Sequence, residues 1–353
     1  MKRLFVLSQW MRIDGVASSL LSRLKEIDYS KVSVDLCLLS HTGPWMDEIP
    51  PEVNLLPELS LKRRCERLVG FLWYWIAGIY YRMFKGCHID PVGGAQISYA
   101  IKSIFGWYPK KLAQHKYDEY WIYGGNSGFA KRVDANIKKA WVHEDWGVWK
   151  PVPFLARRQF NGVDFVINVS AEAKAHFDSL RLTTGKTQSV VLENTLSKKW
   201  LMERAGAYEV PDFKGLKLLS IGRASAAKNF WRAIDTAEIL KQKGVSFKWV
   251  VIGDGEEYQA LVAKVQEKNL SDVIDFVGGM ANPCPYYKWC DIYVCTSDTE
   301  AKSVTICEAQ AVGKPVVMTA FPTAKAHVCY KTKDVIAGMS ADSLATAILA
   351  LIK

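Results

Sequence analysis

The chain contains no run of about 18 uncharged apolar residues, so no segment reads as a membrane-spanning helix. Its eight cysteines (Cys37, Cys65, Cys87, Cys284, Cys290, Cys295, Cys307 and Cys329) form no Cys-x-x-Cys pair and no zinc-ligand spacing. That pattern excludes a disulfide framework and a zinc finger. The opening residues, Met1-Lys2-Arg3-Leu4-Phe5-Val6-Leu7-Ser8, give only about five apolar positions, too few for the apolar region of an export signal. They read instead as a buried strand. The expectation is a cytoplasmic protein whose thiols are reduced and mostly buried. No helix-turn-helix or RNP-type aromatic motif is present, so no nucleic-acid partner is expected. There is also no internal repeat.

What is present bounds the class. A length of 353 residues exceeds one ordinary core and predicts two domains. With 49% hydrophobic and 23% charged residues, the chain is a folded protein and not a disordered or low-complexity one. The net charge is +10; residues 1–195 carry 26 basic and 19 acidic side chains, against 20 and 17 in residues 196–353. The excess in the first half suits an anionic partner. Within it, Arg63, Arg64 and Arg67 lead into an aromatic stretch that includes Trp73, Tyr74 and Trp75 and ends at Lys85. Residues 62–85 are either a helix in the plane of an anionic membrane surface or a helix in the first core.

Apolar runs of four to eight residues alternate with helical patterns. Strands are expected at 3–7, 32–39, 119–123, 139–143 and 165–169, with helices at 16–24, 156–161 and 171–179. The rhythm restarts after Pro211. Strands are expected there at 217–221, 247–252, 274–277, 292–296 and 315–318, with helices at 231–243, 256–267, 304–311 and 341–352. Such alternation implies α/β domains with parallel sheets. The simplest division is 1–195 and 196–353.

Three segments could carry chemistry. Gly222-Arg223 and Lys228-Asn229 lie between a strand and a helix, where free N–H groups and two cations suit a phosphate; the alternative is an ordinary solvated loop. Gly253-Asp254-Gly255-Glu256 follows a strand but lacks a dinucleotide fingerprint, and reads as a structural turn. Glu300 and Glu308 bracket a turn into a helix. Ser303 and Val304 there offer backbone N–H groups to an anion, Glu300 suits a sugar hydroxyl and Glu308 a ribose. The alternative is a helix-start acid with a surface acid.

Together these segments resemble the donor half of the retaining GT-B glycosyltransferases of family 4. The resemblance also draws on Asp275-Phe276-Val277-Gly278, Asn282-Pro283-Cys284-Pro285, and Gly313-Lys314-Pro315 after Glu300-x7-Glu308; it is dense over residues 215–352. It implies two Rossmann-like domains facing each other across a cleft, with 1–195 binding the acceptor and 196–353 the donor. It implies a sugar moved from a nucleotide diphosphate sugar, a UDP-sugar first and GDP-mannose next, to a hydroxyl of a glycan or lipid-linked glycan. Polysaccharide assembly on the inner face of the membrane would be the setting. Arg223 and Lys228 would clamp the diphosphate, and Gly222 and Asn282 would line the donor site. Gly15 would bring its backbone to the diphosphate, and His143, in Trp141-Val142-His143, would face the transferred sugar. Asp14 stands where the family usually has a second glycine, and Ala301 where one usually follows the glutamate. No Asp-x-Asp motif sits where a metal-dependent sugar transferase carries one, so no metal or other cofactor is expected.

Overall fold

The computed structural model describes residues 1–58, 112–113, 115–124, 127–143 (127 and 128 by backbone only), 157, 160–183 and 185–352. The aromatic segment 62–85 and half of the helix expected at 156–161 (residues 156, 158 and 159) lie outside these residues. Contacts divide the chain into two units, Met1–Glu193 and Asn194–Lys353. Among the described residues no helix is long and apolar enough to cross a membrane.

In the first unit, strand β1 (Lys2–Ser8) is buried from Leu4 onward and followed by helix α1 (Gly15–Lys25). Asp14 starts that helix: its Oδ1 accepts the Ala17 N–H at 2.8 Å, satisfying one of the donors a helix start leaves open. Ala17, Leu20, Leu21 and Leu24 form the buried stripe. Strands β2 (Val32–Leu38), β3 (Asn54–Leu55), β4 (Tyr117–Ile122), β5 (Ala135–Val142) and β6 (Phe165–Asn168) follow, then helix α2 (Ala171–Ser179) and strand β7 (Gln188–Val191). All pair in parallel in the order β3-β2-β1-β4-β5-β6-β7.

The second unit repeats the plan. Helix α3 (Lys198–Ala205) precedes strand β8 (Leu216–Ile221), helix α4 (Phe230–Gln242), strand β9 (Phe247–Ile252), helix α5 (Tyr258–Glu267) and strand β10 (Ile274–Phe276). Helix α6 (Cys284–Trp289), strand β11 (Ile292–Cys295), helix α7 (Val304–Ala311), strands β12 (Val316–Thr319) and β13 (Val335–Ala337), and helix α8 (Ala341–Leu351) complete it. The order is β10-β9-β8-β11-β12-β13, again all parallel. Successive side chains point to opposite faces. Leu218, Trp249 and Val251 therefore pack with Ile234 and Ile348 on one face, while Leu219, Val250, Ile252 and Tyr293 pack with Ile306 and Met318 on the other. With both faces covered, these strands read as continuous apolar runs.

The connections from β8 run to one side of the sheet through β9, and those from β11 to the other. In an open parallel sheet, ligands bind outside the carboxyl ends of the strands at such a reversal. The loops after β8 and β11 are therefore the place to look in this unit.

Candidate functional site

The loop after β8 lies directly on the loop after β9. Gly222 N–H donates to Ile252 O (2.9 Å), and Ala224 N–H to Asp254 O (3.0 Å). This approach requires glycine: a Cβ on Gly253, whose φ is +150°, would stand 1.7 Å from Gly222 O. A Cβ on Gly255 would stand 2.3 Å from Ala224 O. The Gly253–Gly255 turn thus shapes the β8 loop. Gly222 makes room in turn for the Lys228 stem, whose Cε would lie 3.2 Å from an added Cβ.

Lys228 reaches across to the loop after β11 and pairs with Glu300 Oε1. Ser297 Oγ donates to the same oxygen at 2.7 Å. The Lys228 and Glu300 side chains are 24% and 11% exposed, so the pair is largely but not wholly out of water. Burial works against the ammonium, yet the Glu300 charge and hydrogen bond outweigh it and hold the Lys228 pKa above the ordinary lysine value. Lys228 is a fixed cation at neutral pH. Burial, aided by the Glu300 charge, pushes the neighbouring Cys295 thiol up to about 11, so it is no nucleophile. Arg223 is exposed beside this pair in sequence.

Further bonds lock the two loops. Arg232 donates to Thr296 O (2.5 Å) and Asp298 Oδ1 (2.7 Å). Asn229, in a left-handed conformation at the start of α4, donates to Asp298 Oδ2 (3.0 Å). Thr296 Oγ1 donates to Lys228 O (2.8 Å). The buried Tyr293 hydroxyl lies between Ile221 O (3.1 Å) and Thr305 Oγ1 (2.7 Å), joining the end of β8 to the first turn of α7.

Ser303 precedes α7 and Val304 opens it, so their N–H groups belong to the set that a helix start leaves outside its own ladder. Ser303 does not cap the helix with its side chain; its Oγ is 3.1 Å from Thr305 Oγ1, and its N–H donates to His327 Nε2 (2.8 Å). Thr323 Oγ1 donates to Glu300 O (2.5 Å). Glu308, one turn into α7, accepts the buried Tyr287 hydroxyl at 2.7 Å. Gly222, Lys228, Glu300, Ser303 and Val304 are thereby gathered at the sheet reversal, with Arg223 on the same loop. Sequence reasoning missed His327, Thr323, Tyr293 and Arg232, whose partners are mostly backbone atoms distant in sequence.

Two expected donor-lining residues also lie in local structural motifs. Asn282 donates to Arg204 O (2.9 Å) and accepts the Cys284 N–H (3.2 Å), stapling the end of α3 to the start of α6. In the first unit, Gly15 opens α1, but the helix start is occupied by the Asp14 carboxylate, whose Oδ2 also accepts the Trp10 indole N–H (2.9 Å). His143 follows β5, half-buried, with its ring 5.3 Å from that of Tyr123, which stacks on Trp141 at 4.7 Å.

This arrangement, two cations and a carboxylate at the carboxyl end of a parallel sheet beside a helix start, suits a diphosphate with a hydroxylated group attached. Comparison with known proteins points the same way. Residues 209–353 match the family model of the Glycosyl transferases group 1. The amylovoran biosynthesis glycosyltransferase AmsK of Erwinia amylovora is 33% identical over 110 residues, 29% of this chain and 27% of that protein. The alpha-monoglucosyldiacylglycerol synthase of Streptococcus pneumoniae is 33% identical over 103 residues, 28% of this chain and 23% of that protein. These matches span less than a third of either relative. Among solved structures, Anabaena HepE in complex with UDP-glucose aligns over 100% of this chain and 90% of its own, with a TM-score of 0.65 at 16% identity. The fold is the α/β GT-B architecture, with a Rossmann-like sheet in each unit.

Proposed function

We propose that the chain is a retaining glycosyltransferase of family 4. It moves a sugar from a nucleotide diphosphate sugar, UDP-linked before GDP-linked, to a hydroxyl of a glycan or lipid-linked glycan in polysaccharide assembly. The observation that carries this reading is the Lys228–Glu300 pair at the reversal of the second sheet, inside the segment that matches the group 1 family. Arg223 and Lys228 stabilise the charge that develops on the departing diphosphate, which is the largest contribution such a site makes. Val304 adds its backbone N–H at the start of α7, and Ser303, whose own N–H is taken by His327, shapes the turn. Glu300 orients a sugar hydroxyl, and Glu308 takes the ribose. His143 of the first unit attends the transferred sugar. The fixed cations do the work a divalent ion does elsewhere, so the reaction proceeds without metal. We assign Asn282 to the α3–α6 staple and not to the donor. The location we propose is cytoplasmic, peripheral on the membrane through residues 62–85, in keeping with the relative that makes a glycosyldiacylglycerol.

The test is release of nucleoside diphosphate from a panel of UDP- and GDP-sugars with membrane-extracted acceptors, with Arg223→Ala and Lys228→Met as controls. Turnover lost in both variants supports the assignment; turnover unchanged in both removes these residues from it. One observation favours a second reading, a non-catalytic relative that binds nucleotide sugar: the Asp14 carboxylate caps α1 beside Gly15, whose backbone the family resemblance would bring to the diphosphate. Tight nucleotide binding with no product from any acceptor extract selects that reading.

A further inference from the structure

His327 is a buried residue, 3% exposed, that plays no part in the chemistry above. Its hydrogen bonds determine its tautomer. The Ser303 backbone N–H can only donate, so Nε2, 2.8 Å away, is an unprotonated acceptor. The Thr323 carbonyl, 3.0 Å from Nδ1, can only accept, so Nδ1 carries the proton. The imidazole is therefore neutral and aimed at both ends.

Both contacts lead to the donor loop. Ser303 is the residue before α7 and is not capped by its own side chain. Thr323, held by Nδ1, donates to the backbone carbonyl of Glu300. The histidine is itself anchored: Gln310 Nε2 donates to His327 O (2.5 Å) and to Asp334 Oδ2 (2.6 Å), and the Phe321 ring meets the imidazole edge-on at 5.3 Å. An apolar side chain would fill the same space but could not receive the Ser303 N–H.

We propose that His327 is a positioning residue of the donor site, which holds the Glu300–Ser303 turn in the conformation that receives the diphosphate without touching the ligand. This rests on the donor-site reading above. The segment after β12 thus serves the site from behind, through an acceptor that reaches one backbone N–H.

The experiment compares His327→Gln, whose amide can accept and donate along similar lines, with His327→Phe, which fills the volume but can do neither. Each full-length variant is titrated with UDP by calorimetry, and amide hydrogen exchange is followed at Ser303 and Val304 without ligand. Expected are affinity within about threefold of wild type for the glutamine variant and roughly tenfold weaker binding for the phenylalanine variant, with faster Ser303 exchange only in the latter. Equal losses in both variants, or wild-type affinity and exchange in His327→Phe, would overturn the positioning role. Wild-type protein that binds no nucleoside diphosphate would instead overturn the donor-site reading. Unchanged Ser303 exchange in His327→Phe would then still count against His327 independently.

Discussion

Removing the Lys228 ammonium should reveal how strongly it is coupled to Glu300. In Lys228→Met the Glu300 carboxylate, 11% exposed, keeps only the Ser297 hydroxyl on Oε1 among the contacts described above. Breaking a fully buried pair by removing one partner costs about 3–5 kcal/mol. Lys228 is 24% exposed and water reaches one side, so about 1–3 kcal/mol is expected here. Glu300→Gln keeps an acceptor for Ser297 but leaves the ammonium without its counter-charge, at about 1–2 kcal/mol. The double variant has no stranded charge and should cost less than the sum of the singles by about 0.5–3 kcal/mol. Urea denaturation of the four proteins measures this coupling. UDP titration of the same proteins separates stability from function, because the double variant recovers stability and not affinity. Strictly additive stability losses would refute the pair. Recovered affinity in the double variant would refute the role of Lys228 in binding.

Further expectations concern the frame around the site. Gly253→Ala places a Cβ 1.7 Å from Gly222 O at φ +150°, so it should destabilise the protein by about 3 kcal/mol or more and weaken UDP binding with it; urea midpoints and calorimetry check both. Asn282→Ala opens the α3–α6 staple and should cost about 1–3 kcal/mol while leaving UDP affinity unchanged. Glu119 is held down to about 2: burial opposes its charge, but hydrogen bonds from Lys139, Lys2 and Trp121 outweigh that penalty. A depressed carboxylate stabilises above its unfolded value of 4.5 and loses that contribution as pH falls toward 2, so wild type should lose about 1–3 kcal/mol over that window. Glu119→Gln should lose less there; the same acid slope in both proteins would exclude Glu119 as its source.

The sequence was most legible where both faces of a strand are covered. β1, β2, β8 and β9 are apolar runs bounded by loops, and each lies within a residue or so of its expected span. Both edge strands of the first sheet escaped because they need little apolar sequence: β3 is two residues with Asn54, and β7 begins Gln188-Ser189. Helix α6 was not among the expected helices because prolines surround Cys284, yet proline suits a first turn where no N–H is needed. In the candidate site, Arg223, Lys228 and Glu300 stood out because they are charges in loops that follow a strand and lead into a helix. The staple made by Asn282 was not legible because an amide in a loop serves a ligand or two backbone ends equally well. His327 was invisible because its ring nitrogens meet a backbone N–H and a carbonyl, and only the first of these belongs to the donor loop.

The central claim is that the loops after β8 and β11 form a nucleoside diphosphate site that needs no metal. Its most direct test is thermal unfolding of wild type and Arg223→Ala with UDP, GDP, ADP, CMP and dTDP, each with EDTA or magnesium. A ligand at 100 times its Kd adds about 2.7 kcal/mol, and each kcal/mol raises Tm by roughly 2–4 °C in a domain of this size. The account predicts a rise of about 5–10 °C with UDP, or failing that GDP, unaffected by EDTA and much reduced in Arg223→Ala. No rise with any nucleotide, a rise that requires magnesium, or an equal rise in Arg223→Ala would contradict it.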